Sequence, residues 1–161
     1  MELNELIRHI CDVFNRHSVD YLIVGGIAVG LHGYPRNSVT SDGKVTEKPD
    51  LDFWYRPTHE NYYKLLNAIE ELGKDMSRYR NETYTDVSKS FFKLEFDAYT
   101  LDLLPQIKSP LKFQQSFAKR EVFPNEGVEI SLICLEDLIQ DKSINARPKD
   151  MDDIEHLRGN E

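Results

Sequence analysis

The chain has 161 residues, 40% of them hydrophobic and 30% charged, with a formal net charge of −8 at pH 7. This length and apolar content suit one globular domain over residues 1–161 and exclude a chain that is disordered throughout. The acidic balance argues against a broad nucleic-acid surface, because neutralising a phosphate backbone requires a basic face. A local basic groove and a metal site both remain compatible with it.

Targeting and redox signals favour a cytoplasmic protein. The N-terminal residues MELNELIRHI contain neither a cationic stretch nor a continuous apolar run, so no secretion signal is expected. No apolar run reaches membrane-spanning length, so no membrane association is expected either. Cys11 and Cys134 lie in apolar segments, which indicates reduced, buried thiols rather than a disulfide framework.

The first third of the chain alternates helix and strand signals. Apolar residues recur at helical spacing over 2–17, which predicts an amphipathic helix. Residues 20–24 (DYLIV) have the composition of a short buried strand, which Gly25-Gly26 interrupts before a short helix. Residues 36–49 form a polar segment with turn-forming residues, and we expect a loop there.

The remainder predicts a mixed sheet flanked by helices. Strands are expected at 51–55, 91–96, 99–104 and 128–133, and residues 58–73 have a helical apolar period with a capping threonine. With the strand at 20–24 the sheet has about five strands.

The predicted fold class is α+β, with helices packed against this mixed sheet. An N-terminal helix (2–17) precedes a core (20–133), and a C-terminal helical pair (135–158) follows it.

A Gly-Gly pair follows the first strand. Gly25 and Gly26 would let backbone amides approach a phosphate at the start of the next helix. The alternative is that these glycines only permit a tight strand-to-helix turn. The spacing matches neither the dinucleotide fingerprint nor the phosphate-binding loop of the Walker type.

Asp50 and Asp52 are separated by one residue at the start of a strand. Side chains alternate along a strand, so both carboxylates leave one face while Leu51 points to the other. Converging carboxylates repel one another unless a cation lies between them, and Mg²⁺ binds carboxylate and phosphate oxygens together. The alternative for such a pair is a solvated edge strand without chemistry.

Asp102 is the best candidate for a third carboxylate. Leu101 and Leu103 flank it, so it projects from the face opposite to theirs, where a lone charge needs a partner or a metal. Glu95 and Asp97 have the same spacing as the first pair, but Asp97 falls at an apparent turn, where aspartate is favoured for local hydrogen bonding.

Together these residues resemble the nucleotidyltransferase superfamily of the DNA polymerase β type. That family has a Gly-Gly or Gly-Ser turn, a helix, an Asp-x-Asp strand and a later acidic residue, which match Gly25, Gly26, Asp50, Asp52 and Asp102. The resemblance implies a nucleotidyltransferase-like sheet and two Mg²⁺ ions held by the three aspartates. It also implies transfer of a nucleoside monophosphate from an NTP to a hydroxyl acceptor, with Asp102 as general base.

The C-terminal segment LEDLIQDKSINARPKDMDDIEHL looks like that of AbiEii-like and related toxin-type nucleotidyltransferases. On that resemblance Lys142 would face the triphosphate, and Arg147, Lys149 and Asp150 would shape the rim of the site. The chain has little beyond a catalytic core with which to grip an acceptor, so a partner chain or a homodimer is a further expectation.

The loop 36–49 is where the chain departs most from this family, because the gap between the glycines and the acidic pair is longer. Its basic residues Arg36, Lys44 and Lys48 are candidates for stabilising charge on the leaving group, with Arg36 and Lys48 counted among the nucleotide-binding residues.

The acceptor stays open among a tRNA end, a protein hydroxyl and a small molecule. The competing interpretation is a non-catalytic nucleotide-binding or antitoxin-like partner module of the same fold. A hydrolase using the same acidic cluster is less favoured, because no activated nucleophile accompanies it.

Overall fold

The computed structural model describes residues 2–33, 48–144 and 147–159. Arg36 and Lys44 lie outside these ranges, so their predicted roles stay predictions.

Seven helices and six strands make up the described part of the chain. The helices are α1 (Leu3–Arg16), α2 (Gly25–Leu31), α3 (His59–Glu71), α4 (Ser77–Arg80), α5 (Phe113–Ala118), α6 (Leu135–Ser143) and α7 (Pro148–Arg158), with a 3-10 turn at Val87–Lys89. The strands are β1 (Tyr21–Val24), β2 (Asp50–Tyr55), β3 (Phe92–Glu95), β4 (Thr100–Leu104), β5 (Glu121–Asn125) and β6 (Val128–Leu132).

The strands form one mixed sheet in the order β3-β4-β2-β1-β6-β5. β1 pairs antiparallel with β2 and parallel with β6, and β2 pairs parallel with β4. The two outer pairs, β3–β4 and β5–β6, are antiparallel. The mixed α+β prediction is confirmed.

The prediction of about five strands is wrong, because β5 was missed. Its sequence, EVFPN, mixes two charged or amide side chains with Pro124 and has no clear alternation. β5 is an edge strand, and a proline is tolerated there because one side of the strand makes no ladder bonds. Because an edge strand forms ladder bonds on one side only, its sequence is less constrained and gives a weaker strand signal.

One face of the sheet packs against α1 through aromatic residues. The ring of Phe14 lies 5.5 Å from that of Tyr21 and 5.2 Å from that of Phe53, both in edge-to-face geometry. All three side chains are buried. This face of β2 is therefore the apolar core, and the intervening residues of β2 point to the opposite face.

The predicted capping and terminal residues of α3 and α7 are confirmed. Thr58 Oγ1 accepts a hydrogen bond from the backbone N–H of Asn61 at 3.3 Å and caps α3. Pro148 opens α7 and Gly159 follows its last residue.

Both cysteines are free thiols, as predicted. Burial raises the pKa of Cys11 to about 12, whereas Cys134 is only half-buried, contrary to the prediction of two buried thiols. Among the helices of the described residues, none combines the length and apolar character needed to cross a membrane.

Candidate active site

Four side chains form a row across one face of the sheet. In the strand register Val24 pairs with Asp52, Asp52 with Asp102, and Asp102 with Lys93. Paired residues on neighbouring strands share a face, so this row lies on the face opposite to the aromatic core. The register therefore brings Asp52 and Asp102 side by side at the centre of the sheet.

This pair of carboxylates is electrostatically strained. Burial, and then the negative charge of Asp102, raises the pKa of Asp52 to about 7. Burial also raises the pKa of Asp102, and its Oδ1 atom has no hydrogen-bond partner among the described residues. Two adjacent carboxylates of this kind need a proton or a cation between them.

Asp50 is placed differently from the other two predicted carboxylates. It is the first residue of β2, is exposed, and pairs with Thr100 rather than with an acidic residue. Within residues 2–33, 48–144 and 147–159, no three His, Cys, Asp or Glu side chains lie close enough together to hold a metal ion. Asp50 thus shares a face with Asp52 but does not complete a three-carboxylate cluster in this arrangement.

Gly25 gives the Asp52 carboxylate the space it occupies. A Cβ atom on Gly25 would lie 2.2 Å from Asp52 Oδ2 and 3.0 Å from its Cγ, so the Asp52 side chain would have to move. Its φ of +70° is also in the left-handed region that favours glycine. The backbone at the end of β1 thus lies directly against the carboxylate, a role that the phosphate interpretation of the glycines did not include.

A cleft of about 460 Å³ opens beside this row. Its polar half is lined by Gly25, Gly26, Asp52, Lys142, Arg147 and Lys149, with Asp150 next to them. The cleft brings together the predicted glycines, the second aspartate of the Asp-x-Asp pair and the predicted C-terminal residues, which are distant in sequence.

Lys142 is held in a buried ion network between α6 and α7. Its Nζ lies 3.3 Å from Asp150 Oδ1 and 3.1 Å from Asp153 Oδ2, and all three side chains are buried. Burial alone would raise the pKa of Asp150. Hydrogen bonds from Arg147 and the charge of Lys142 outweigh it and hold that pKa well below its usual range.

Asp153 was missed by the sequence interpretation. The available signal is its spacing of three residues from Asp150 on a helix, which puts the two carboxylates on the same face.

Lys48 and Lys93 lie toward the outer strands of the same sheet. Lys48 Nζ is 2.8 Å from Glu95 Oε2, and this hydrogen bond lowers the pKa of Glu95. Lys48 is not among the residues that line the cleft. Lys93 is exposed and faces Asp102, and strand alternation in the β3–β4 hairpin would have identified it.

The other half of the cleft has a different character. It is lined by Leu104, Gln106, Ile107, Lys108, Asp141 and Ile144. Asp141 Oδ1 accepts a hydrogen bond from the backbone N–H of Ser109 at 3.0 Å, and burial raises the pKa of Asp141. Leu104, Ile107 and Ile144 are aliphatic, and this half also carries one fixed carboxylate, Asp141, and the exposed Lys108.

Comparison with known proteins finds similar folds but no sequence family. No protein-family model matches the chain, and no curated protein matches it. The lincomycin-bound crystal structure of the lincosamide antibiotic adenylyltransferase LnuA matches with a TM-score of 0.62 and 19% identity, covering 100% of this chain and 98% of that one. An antigenic nucleotidyltransferase-like protein from Paracoccidioides brasiliensis matches with a TM-score of 0.55 and 18% identity, covering 97% and 75%.

At these identities the likeness shows the fold, and this chain therefore has the fold of the nucleotidyltransferases. The AbiEii-like subgroup stays a prediction.

Proposed function

We propose that this protein is a Mg²⁺-dependent nucleotidyltransferase that transfers a nucleoside monophosphate from an NTP to the hydroxyl group of a small molecule. The carrying observation is the pair Asp52 and Asp102, adjacent across β2 and β4, of which Asp52 lies against the Gly25 backbone and lines the cleft. The likeness to an adenylyltransferase whose crystal structure holds an antibiotic supports a small-molecule acceptor over a tRNA end or a protein hydroxyl.

The residues present fit a divalent cation. Asp102 Oδ1 is buried without a hydrogen-bond partner among the described residues, and the neighbouring Asp52 is hard to ionise while it is unneutralised. Asp52 and Asp102 would hold the ion, and Asp50 would stand near a second one. Bound Mg²⁺ would neutralise the carboxylates and polarise the phosphate oxygens that it contacts.

The cationic end of the cleft suits the polyphosphate. Lys142, Arg147 and Lys149 lie around the polar half, and the backbone of Gly25 and Gly26 lies on its other side. Positive groups fixed in advance stabilise charge that develops on a leaving group. The ion pairs of Lys142 with two buried carboxylates fix its position in this way.

The reaction is a displacement at the α-phosphorus. The acceptor hydroxyl oxygen forms a bond to that phosphorus, the bond from the α-phosphorus to the bridging oxygen breaks, and pyrophosphate leaves. Asp102 accepts the hydroxyl proton at a carboxylate oxygen.

The test is to incubate the protein with each α-labelled NTP, Mg²⁺ and a panel of hydroxylated small molecules, tRNA and cell extract. We expect labelled product and released pyrophosphate, with a loss of about a hundredfold or more in Asp52→Asn, as for the loss of a positioned catalytic group. Asp97→Asn is the matched control, because Asp97 is an exposed aspartate in the β3–β4 turn.

The outcomes separate the competing functions. Nucleotide binding without transfer to any acceptor would support the non-catalytic module, for which capture of a partner chain is the next experiment. Failure to bind any NTP in the presence of Mg²⁺ contradicts both.

A further inference from the structure

The half of the cleft away from the cations has its own chemistry, and we name it the apolar arm. It is formed by Leu104, Gln106, Ile107, Lys108, Asp141 and Ile144. Leu104 ends β4, two residues beyond Asp102, so the arm begins beside the carboxylate pair on the same face of the sheet.

A polyphosphate does not suit the apolar arm. The aliphatic side chains of Leu104, Ile107 and Ile144 offer an anion no hydrogen bonds, and the Asp141 carboxylate repels it. Lys108 also lines the arm, but it is exposed and its charge partly offsets that of Asp141, whereas Lys142, Arg147 and Lys149 line the polar half. An uncharged, flat heterocycle joined to the phosphates fits these aliphatic side chains better than a second anionic group does. The total volume of about 460 Å³ is within the range of small-ligand sites.

Asp141 is a fixed acceptor in this arm. It is half-buried on α6, and the backbone N–H of Ser109 donates to its Oδ1 at 3.0 Å. This bond joins α6 to the segment that follows β4, so the carboxylate is positioned before any ligand arrives. An ionised carboxylate only accepts hydrogen bonds, so it favours a ligand edge that donates and disfavours a carbonyl oxygen.

We propose that the apolar arm binds the base of the NTP and that Asp141 selects bases that carry an exocyclic amino group. This rests on the proposed function, since it names the nucleotide of the same reaction. An amino group would donate to Asp141, whereas a carbonyl oxygen in its place would meet a like-charged partner. A site built to pair with a polar group discriminates strongly against an analogue that leaves this group unpaired.

Two pairs of nucleotides of nearly equal size isolate this contact. ATP and ITP differ in an amino group against a carbonyl oxygen on the purine, and CTP and UTP differ in the same way on the pyrimidine. Equilibrium binding with Mg²⁺ is measured for all four. We expect the amino member of each pair to bind about tenfold more tightly or better.

Asp141→Asn makes the test sharper because it changes the direction of the hydrogen bond. The N–H of Ser109 keeps the amide oxygen as its acceptor, so the amide nitrogen takes the place of the second carboxylate oxygen and donates into the arm. We expect the preference to reverse toward ITP and UTP. Glu136→Gln is the matched control, since it removes a carboxylate from an exposed position of the same helix outside the cleft.

Each outcome decides the matter. Equal binding of all four nucleotides, unchanged in Asp141→Asn, overturns the role of the arm and leaves the proposed transferase function standing. Equal weakening of all four in a variant with unchanged thermal stability shows that Asp141 supports the cleft without selecting the base, and also overturns the inference. If no nucleotide binds to the parent protein, the proposed function fails and the inference fails with it.

Discussion

Replacing Asp52 with asparagine should stabilise the protein at alkaline pH while removing its response to Mg²⁺. The reason is the adjacent, partly buried pair of Asp52 and Asp102, which must ionise together at high pH unless a cation neutralises them. An asparagine has the same shape without the charge, and its amide can donate to Asp102 Oδ1, which has no hydrogen-bond partner in the described part of the chain. A residue whose loss stabilises the fold and abolishes ligand binding belongs to a functional site.

The magnitude follows from the pKa of Asp52. The ordinary value is 3.8 and burial with the charge of Asp102 raises it to about 7 in the folded protein. Below pH 4 both folded and unfolded chains hold the proton, so the free energy of unfolding is unaffected. Between about 4 and 7 the unfolded chain loses its proton first, and the folded state becomes less stable as the pH rises. Above 7 the penalty is complete, at about 4 kcal/mol before structural relaxation.

The assay is denaturant unfolding of the parent and Asp52→Asn at pH 4 and pH 8, with and without Mg²⁺. Without the ion we expect the variant to gain about 2 to 4 kcal/mol at pH 8 and little at pH 4. Mg²⁺ should stabilise the parent at pH 8 and leave the variant unchanged. Asp97→Asn, an exposed turn position, should match the parent throughout. A variant no more stable than the parent at pH 8 would refute the argument that the pair is strained.

Three further predictions concern the cleft. Gly25→Ala should lose transferase activity and should destabilise the protein more than Gly127→Ala does. Both glycines have a positive φ, but only a Cβ atom on Gly25 would collide with Asp52. Denaturation and activity assays of the two variants measure the difference. Lys142→Met should lower the free energy of unfolding by about 3 to 5 kcal/mol, because it leaves buried carboxylates of α7 without their shared cation, and thermal and denaturant unfolding would detect this. Nucleotide binding should change the fluorescence of Trp54, the single tryptophan, because its indole donates to the carbonyl of Pro105, which lies between Leu104 and Gln106 in the sequence. A titration that leaves the emission unchanged contradicts this prediction.

Residues that obey strand alternation were predictable from the sequence. Leu101 and Leu103 are buried in the core, and Asp102 lies between them on β4. Because side chains alternate along a strand, Asp102 points to the opposite face. The same rule puts Asp52 opposite Leu51. Alternation fixes the face of a side chain without knowledge of its neighbours, so the face of each candidate carboxylate could be predicted from the sequence.

Register and long-range ion pairs were not predictable in this way. The direct pairing of Asp52 with Asp102 depends on β2 and β4 being parallel neighbours, although β3 lies between them in sequence. The ion pair of Lys48 with Glu95 depends on the same unrecognised register and holds Lys48 at the outer strands. Such contacts join segments tens of residues apart, and one sequence carries no local signal for them.

The two charged clusters on either side of the cleft have opposite energetic states, and this contrast is the best physical argument for function. On one side Lys142 forms ion pairs with Asp150 and Asp153, so its charge is accommodated within the fold. On the other side neither Asp52 nor Asp102 forms an ion pair among the described residues, and burial raises the pKa of both. A fold that needed only stability would tolerate an apolar pair at these central strand positions, since uncompensated buried carboxylates destabilise it. Retaining them next to a glycine backbone that leaves room for one of them is the arrangement expected where a cation and an anionic substrate complete the site together.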